Sequence, residues 1–255
     1  MNQKIVIFGS GELAEVVLYY FENEQRRSVA GFVVVDEFVN ETKFCGKSLV
    51  GISDLTQRFD PSEYDAFVAT GYSEMNNFRA SKCEQLRKLG FDLASYISDK
   101  AIVARNATYG DNCLVLEHNT VQPFSVIGNN VFLWSGNHIG HHASIGSNSF
   151  VSSHCVVSGG VKLGNNVFLG VNCAIADHVS VGDFSLISAG ALVTSDVEEG
   201  SVRIENNCLN GHECTESKQA NSIFSVQITK NYCFVDSLVC FSHKSNGLAW
   251  HATAQ

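Results

Sequence analysis

The chain has 255 residues, of which 45% are hydrophobic, and a formal net charge of −9 at pH 7. This content is ample for a buried core. The acidic excess argues against a nucleic-acid partner, because backbone phosphates are bound mainly by clustered Lys and Arg. No signal-like start and no apolar stretch of about 18 residues is seen, so we expect a cytoplasmic protein that does not enter the membrane. None of the nine cysteines lies in a C-x-x-C pair, so we expect reduced thiols and no metal site.

The first residues predict a βαβ unit. A buried strand is predicted from Lys4 to Phe8, a turn at Gly9-Ser10-Gly11, a helix from Glu12 to about Asn23 and a second strand from Val29 to Val35. The glycines of this G-x-G-x-x-A turn allow a ligand to approach the start of the helix. Asp36 follows about 25 residues after the turn, roughly where dinucleotide folds place a ribose-binding acid. The alternative is a tight structural turn followed by a solvated acid.

A third strand is predicted from Ala66 to Ala69, with a helix from Asn76 to Leu89 behind it. Ligands of open α/β sheets bind beyond the carboxyl ends of the strands, which makes Gly71 and Tyr72, at the end of this strand, candidates. Arg79 lies on the first turns of the helix, where an ordinary surface charge is one of two equally weighted interpretations. Only about 95 residues are available, too few for a complete dinucleotide domain, so NAD would have little to hold it.

A repeat of six residues runs from Ala101 to about Asp196. The third residue of each hexad is aliphatic in every case but one: Val103, Tyr109, Val115, Val121, Ile127, Leu133, Ile139, Ile145, Val151, Val157, Leu163, Leu169, Ile175, Val181, Ile187 and Val193. A period of six fits neither a helix nor a simple strand, but it fits a prism with three flat faces and three hexads per coil. Glycines directly after the aliphatic position, such as Gly128 and Gly140, are expected to supply the backbone freedom of tight corners.

The residue two positions before each aliphatic one is mostly small, and Cys113, Cys155 and Cys173 occupy such positions. We expect these three thiols to be core residues and not nucleophiles. The predicted fold class is therefore an α/β βαβ domain at residues 1–97, followed by an all-β parallel β-helix at residues 98–204. Residues 205–255 lose the period, and we expect an irregular C-terminal tail.

Three histidines cluster in the repeat at His138, His141 and His142. An imidazole is part base and part acid near neutral pH, which suits proton removal from an attacking amine or hydroxyl. His138 precedes the buried Ile139, whereas His141 and His142 follow a corner glycine and should point outward or toward a neighbouring subunit. We therefore predict His141 and His142 as the catalytic candidates, the alternative being polar corner residues of a solvated coil.

The repeat resembles, over about 100 residues, the left-handed β-helix acyltransferases built on the hexapeptide [LIV]-G-x-x-[STAV]-x. The N-terminal part is similar to the sugar-nucleotide N-acetyltransferases that include the bacillosamine and perosamine enzymes, with matching residues at Gly9, Ser10, Gly11, Asp36, Gly71, Tyr72, Asn76 and Arg79. The resemblance implies a left-handed coil, a homotrimer with active sites between prisms, and a small domain whose matching residues bind the nucleotide of the substrate.

The resemblance also implies a mechanism. His141 matches a general base two residues after a buried aliphatic, acting in direct attack without an acyl-enzyme, with an oxyanion donor near Ser158-Gly159-Gly160. Acetyl-CoA would contact backbone at Gly159, Gly160, Gly170 and Gly190. Two departures limit the match: Phe150 stands where some relatives carry a second histidine, and the repeat contains only two basic residues, Arg105 and Lys162.

The expected function is acetyl-CoA-dependent N-acetylation of a nucleotide-linked amino sugar, for a surface polysaccharide or glycan. Two alternatives remain open. One is O-acetylation of a sugar on the same scaffold, because one base serves both reactions. The other is a non-catalytic, nucleotide-binding β-helix protein.

Overall fold

The computed structural model describes residues 4–204 and the backbone of residues 232–235 and 238–241. The N-terminal part contains a five-stranded sheet of order β3-β4-β2-β1-β5, in which only the pairing of β3 with β4 is antiparallel. Its strands are β1 (Lys4–Phe8), β2 (Val29–Val34), β3 (Lys43–Phe44), β4 (Lys47–Gly51) and β5 (Tyr64–Val68). Its α-helices are α1 (Glu12–Tyr19), α2 (Leu55–Arg58) and α3 (Asn77–Lys88). A π-helical turn at Tyr20–Glu24 continues α1, and short 3-10 turns lie at Asp36–Phe38 and Ile52–Asp54.

The predicted β1, α1, β2, β5 and α3 are all present. The hairpin of β3 and β4 and the short α2 were not predicted. The hairpin has a weak pattern, because Leu49 and Gly51 are its only buried residues. It pairs with the outer edge of β2.

The repeat forms the predicted three-faced β-helix, and each two-residue strand from Ile102–Val103 to Leu192–Val193 ends on the third residue of its hexad. The first face holds β7 (Ile102–Val103), β10 (Thr120–Val121), β13 (His138–Ile139), β16 (Val156–Val157), β19 (Ala174–Ile175) and β22 (Leu192–Val193). The second face holds β8 (Thr108–Tyr109), β11 (Val126–Ile127), β14 (Ser144–Ile145), β17 (Lys162–Leu163) and β20 (Ser180–Val181). The third face holds β6 (Tyr96–Ile97), β9 (Leu114–Val115), β12 (Phe132–Leu133), β15 (Phe150–Val151), β18 (Phe168–Leu169), β21 (Leu186–Ile187) and β23 (Val202–Arg203).

Neighbouring coils pair in parallel at a separation of 18 residues, as in Ile139 with Val157. The aliphatic residues form one buried interior cluster with Cys113, Cys155 and Cys173, each with no exposed surface. The expectation that these thiols are core residues is confirmed. The last coil is two residues shorter, because Val181 bridges to Val197.

The expectation that the corner glycines supply backbone freedom for a tight turn is wrong. Gly128 and Gly140 have no positive φ, and the left-handed residues come two positions later, as Asn130 (φ 58°) and His142 (φ 57°). The glycines are needed because the next coil passes so close to them that a side chain would not fit. A Cβ on Gly128 would lie 2.7 Å from the amide nitrogen of Ser147, and one on Gly140 would lie 2.6 Å from that of Gly159. Asn and His tolerate the left-handed region better than most residues, which explains their place at the corners.

The third face packs against the N-terminal sheet and α1. The outward residues of this face are large and buried, including Leu114, Phe132, Phe150, Phe168 and Leu186, and they form one cluster with the apolar side chains of the sheet and α1. The strand β6 already pairs with β9, so the β-helix begins directly after the α/β part. The boundary between residues 97 and 98 stays a prediction.

A ladder of asparagines joins the same two parts. Along one corner, the side-chain amide of Asn112 donates to Asn130, Asn130 to Asn148 and Asn148 to Asn166, at 2.8, 2.9 and 3.3 Å. At its end, Asn166 donates to the carbonyl oxygen of Met75 at 2.8 Å. Each rung satisfies a polar group that the interface would otherwise bury unpaired.

Glu117 links the π-helical turn to the β-helix and gives a pH prediction. Tyr20 Oη donates to its Oε2 at 2.8 Å and Ser135 Oγ donates to its Oε1 at 2.7 Å. Burial alone would raise the pKa of Glu117, but hydrogen bonds from Ser135, its own backbone and Tyr20 outweigh it and hold the pKa below its ordinary value of 4.5. A carboxylate with a lowered folded pKa stabilises the fold above its unfolded pKa, and this contribution is lost as the pH falls through the folded pKa.

We therefore expect Glu117→Gln to lower the free energy of unfolding at pH 7. The difference from the parent chain should shrink as the pH falls below 4.5. Urea denaturation at pH 7 and at about pH 3.5 measures both values. An equal difference at the two pH values would show that the charge of Glu117 plays no part.

Residues 205–255, predicted as an irregular tail, lie outside the described residues except for β24 (Tyr232–Val235) and β25 (Leu238–Phe241), which form an antiparallel pair. Within the part of the chain that the structure describes, no helix has the length and apolar character needed to cross a membrane.

Candidate active site

His141 and His142 lie together at the corner between the first and second faces, and both are exposed. Nδ1 of His141 lies 3.1 Å from Nδ1 of His142. The two rings are nearly perpendicular, at 84°. The His142 ring stacks on Phe124 of the preceding coil, with centroids 4.7 Å apart and planes 23° apart.

Two neighbouring coils fix the position of His141. Its backbone N–H donates to Oε1 of Gln122 at 2.9 Å. On the other side its imidazole lies against Gly159, where an added Cβ would be 2.8 Å from Cε1 and 2.9 Å from Nε2. Only a residue without a side chain leaves room for the ring, and the Cε1–Nε2 edge therefore faces Gly159.

The N–H groups predicted as oxyanion donors all have partners within the chain. Ser158 donates to the carbonyl oxygen of Ile175 at 3.1 Å, and Gly160 donates to that of His141 at 2.9 Å. Gly159 instead donates to a side chain, Oδ1 of the exposed Asp177, at 2.9 Å. Gly159 is thus the one of the three whose N–H becomes available by rotation of a surface side chain, without loss of a backbone–backbone hydrogen bond between coils.

The contact between Gly159 and the imidazole gives a second prediction. Gly159→Ala should displace the ring of His141, because the new Cβ would meet it at 2.8 Å, while the exposed ring can move at little cost to the fold. We expect turnover to fall about 10-fold or more with an unchanged melting temperature. Steady-state kinetics and a thermal melt measure the two effects. An alanine variant with full turnover would show that this ring position is not required.

The predicted nucleotide-binding residues of the first two strands gather at one edge of the sheet. Gly9, Ser10 and Gly11 follow β1, and Gly11 precedes the first turn of α1. Gly9 has φ 127° and leaves no space for a Cβ, which would meet the carbonyl oxygen of Ala69 at 2.6 Å. Asp36 follows the neighbouring β2 and is exposed, and its Oδ1 accepts hydrogen bonds from the backbone N and Oγ of Ser53 at 3.1 and 3.0 Å.

The segment after β5 reaches the same edge, because β5 pairs with β1. Asn76 is fully buried with φ 67°, and neither atom of its side-chain amide has a hydrogen-bond partner. Thr70 Oγ1 is likewise buried and unpartnered. Sequence reasoning did not select Thr70, since a threonine at a strand end carries no distinguishing pattern. Buried polar atoms without partners are uncommon in proteins and are explained by strain, by bound water or ions, or by a functional role.

Gly71 and Tyr72 also lie at this edge and are partly buried. The Tyr72 ring contacts Phe150 and Phe168 of the third face, with centroids 5.1 and 4.9 Å apart. Burial raises the pKa of Tyr72. Phe150, at the place of the second histidine of some relatives, is thus part of the contact between the two parts of the chain.

Arg79 is fully buried, so the alternative of an ordinary surface charge is wrong. Its guanidinium donates to Oδ1 of Asn130 at 2.8 Å, to the carbonyl oxygen of Asn130 at 3.2 Å and to that of Gly71 at 3.0 Å. It also stacks over Phe132, 4.1 Å from the ring centroid. Burial lowers the pKa of Arg79 to about 9, which still leaves it charged at neutral pH. These contacts place Arg79 inside the contact between α3 and the β-helix.

The four glycines predicted to bind the coenzyme lie at two corners. Gly159 and Gly160 lie beside His141, whereas Gly170 and Gly190 follow strands of the third face. One prism therefore does not bring all four together. Among the described residues, no group of three or more His, Cys, Asp or Glu side chains could hold a metal ion.

Residues 124–159, which include both histidines and Gly159, match the family model of the bacterial transferase hexapeptide, described as six repeats. Comparison with curated protein sequences gives no match.

Three solved structures are similar over most of the chain. The first is a variant of perosamine N-acetyltransferase from Caulobacter crescentus in complex with CoA and GDP-perosamine, at 24% identity over 78% of this chain and 92% of that chain, with a TM-score of 0.71. The second is the acetyltransferase domain of PglB from Neisseria gonorrhoeae in complex with acetyl coenzyme A, at 23% identity, 79% and 96% coverage and a TM-score of 0.70. The third is WeeI from Acinetobacter baumannii, at 15% identity, 78% and 95% coverage and a TM-score of 0.70.

Identities below 25% show the fold, which for this chain is an α/β domain followed by a left-handed parallel β-helix. The chain therefore carries the bacterial transferase hexapeptide repeat on the two-part fold of these solved structures.

Proposed function

We propose that the chain is an acetyl-CoA-dependent N-acetyltransferase that acts on a nucleotide-linked amino sugar. The observation that carries this proposal is the pair formed by His141 and Gly159. An exposed imidazole that can take a proton lies against Gly159, where an added Cβ would meet it at 2.8 Å, and the N–H of the same glycine, now bonded to Asp177, can be freed to stabilise an oxyanion. A general base and an oxyanion donor are the two groups that direct acyl transfer to an amine requires.

In the proposed reaction, Nε2 of His141 takes a proton from the sugar amine as the nitrogen adds to the thioester carbonyl. The resulting oxyanion accepts a hydrogen bond from the N–H of Gly159, which Asp177 releases. The tetrahedral intermediate then collapses, the carbon–sulfur bond breaks, and the coenzyme thiolate takes the proton from the imidazolium of His141. The cycle ends with an amide, a free thiol and a neutral imidazole, and no group of the chain is acylated.

The edge of the N-terminal sheet supports the nucleotide part of the proposal. Gly11 has no atom within 4 Å of where its Cβ would lie, which leaves the start of α1 open, and helix starts favour phosphate groups. The unpartnered amide of Asn76 and hydroxyl of Thr70 lie after the adjacent β5. The solved relatives support the ligand classes, since one was crystallised with CoA and GDP-perosamine and another with acetyl coenzyme A.

We propose a homotrimer, with the reaction centre in the groove between two prisms. Among residues 4–204, both histidines stay exposed, and Gly170 and Gly190 lie at another corner from Gly159. Exposed apolar residues on or beside the first face, namely Ile102, Val156, Leu192 and Phe124, support a neighbouring prism there. The proposed location is the cytoplasm, where acetyl-CoA and sugar nucleotides are available.

A thiol-release assay with acetyl-CoA tests the proposal against a panel of UDP-, dTDP- and GDP-linked amino sugars. We expect coenzyme release with one member of the panel, accompanied by an acetylated sugar nucleotide in the mass spectrum. The corresponding sugars with a hydroxyl in place of the amine are the control. Acetylation of the hydroxyl sugars alone would replace N-acetylation by O-acetylation. Silence across the whole panel, from a folded protein that binds acetyl-CoA, would remove the proposed substrate class.

A further inference from the structure

We infer that His142 is a positioning residue, which orients the general base through an Nδ1–Nδ1 hydrogen bond and is itself held by Phe124. This inference rests on the proposed function of His141. It gives His142 a role different from that of a second base, because His142 would act on the substrate only through His141.

The two rings share a single proton between their Nδ1 atoms. The Nδ1 atoms of His141 and His142 are 3.1 Å apart, which is a hydrogen-bond distance. A neutral imidazole carries one N–H and one lone pair, so one of the two Nδ1 atoms must donate and the other must accept. If His141 is the donor, its own proton is at Nδ1 and its lone pair is at Nε2. If His142 is the donor, Nε2 of His141 carries the proton and cannot act as a base.

Only one edge of the His141 ring is free to react. The Cε1–Nε2 edge faces Gly159, where the oxyanion donor lies, whereas the Nδ1 side is occupied by His142. The proposed reaction needs the lone pair at Nε2. The geometry is therefore productive only with Nδ1–H of His141 donating to His142. When Nε2 takes the substrate proton, the same hydrogen bond becomes charge-assisted and stabilises the imidazolium.

The ring of Phe124 holds the His142 side chain in place. An exposed imidazole on a flexible side chain would sample several rotamers, but this one is stacked on Phe124 at 4.7 Å. Phe124 and His142 occupy the same position of successive coils, with φ values of 66° and 57°. The left-handed backbone and the ring below it together hold the Nδ1 atom toward His141.

Two substitutions at this position separate the hydrogen bond from the packing. His142→Phe keeps a ring that can stack on Phe124 and removes the acceptor, and the chain already accommodates phenylalanine with positive φ at 124 and 184. His142→Asn places an amide oxygen close to where Nδ1 lies, and asparagine tolerates the left-handed backbone. His118→Phe is the matched control, since His118 is an exposed histidine with φ 60° at a different corner.

We expect His142→Phe to lower kcat about 10-fold or more with KM for both substrates within about twofold, and His142→Asn to recover most of the loss. His118→Phe should behave as the parent chain. A merely structural role of the His142 ring would leave His142→Phe active and make His142→Asn the poorer variant, which would overturn the inference. Equal losses in His118→Phe and His142→Phe would also overturn it.

A spectroscopic measurement tests the inference even if the substrate class is wrong. Two-bond nitrogen–proton correlations in histidine-labelled protein report the tautomer of each ring, and His141→Gln assigns the signals of His141. We expect the Nδ1–H tautomer for His141 in the parent chain and in His142→Asn, and a shift toward the Nε2–H tautomer in His142→Phe. An Nε2–H tautomer of His141 in the parent chain would contradict the inference, whatever the substrate proves to be.

Discussion

His141→Ala should lower kcat by about 100-fold or more, the usual scale for removal of a general base, while KM for acetyl-CoA and for the sugar nucleotide changes little. The reason is that the exposed ring of His141, which lies beside Gly159, is the group proposed to take the proton from the sugar amine. The fold does not depend on its contacts. Steady-state kinetics together with a thermal melt measure the two consequences.

The control for this substitution is His118→Ala, another exposed histidine of the β-helix. Its turnover and melting temperature should match those of the parent chain. If His141→Ala retained full turnover, His141 could not be the base, and the histidine pair would be no more than a polar corner of the coil.

Arg79→Ala should destabilise the chain by about 3–5 kcal/mol, because it removes a large, fully buried side chain and leaves buried neutral acceptors without their donor. The substitution leaves Oδ1 of Asn130 and the carbonyl oxygen of Gly71 without this donor, and it removes the cation that lies 4.1 Å above the centroid of Phe132. It also opens a cavity between α3 and the third face. Chemical denaturation measures the loss of stability.

Arg87→Ala is the matched control, because Arg87 also joins α3 to the β-helix but is partly exposed. Its ion pair with Asp111, at 2.7 Å, has about a third of each side chain exposed, at 35% and 36%. We expect this control to cost less than about 1 kcal/mol. A substrate-binding role of Arg79 predicts a different result. The stability of Arg79→Ala would then match that of the parent chain, and its KM for the sugar nucleotide would be raised.

The β-helix could be predicted from the sequence because its core residues recur with a strict period of six. Each aliphatic residue at the third hexad position from Val103 to Val193 ends its strand and packs in the interior cluster, whereas Tyr109, the one aromatic at that position, is 49% exposed. The reason for the corner glycines could not be predicted in this way. Steric contact between Gly140 and Gly159 arises only once the coils are stacked.

The candidate site was predicted in part. Periodicity placed His141 and His142 at an exposed corner, but side-chain directions are set by rotamers, so the contact between them and the stack on Phe124 were missed. A signal for these neighbours was present in the repeat. Phe124 precedes His142 by 18 residues and Gly159 follows His141 by 18 residues, which is the separation of paired coils.

Arg79 shows where sequence reasoning fails for a physical reason. A charged residue on the first turns of a helix is usually solvated, and nothing local indicates that the third face of the β-helix will cover it. Its burial depends on contacts with residues about 50 positions away, including Asn130 and Phe132. The edge of the N-terminal sheet was easier to predict, because parallel strands place their carboxyl ends together.

The most direct test of the account is a structure of the protein with CoA and an accepted amino-sugar nucleotide bound together. We predict that the amine nitrogen lies about 3 Å from Nε2 of His141, that Asp177 has turned away from Gly159, and that the nucleotide occupies the edge formed by Gly9, Ser10, Gly11 and Asn76. An amine bound at another corner, out of reach of His141 and with Gly159 still bonded to Asp177, would contradict the account.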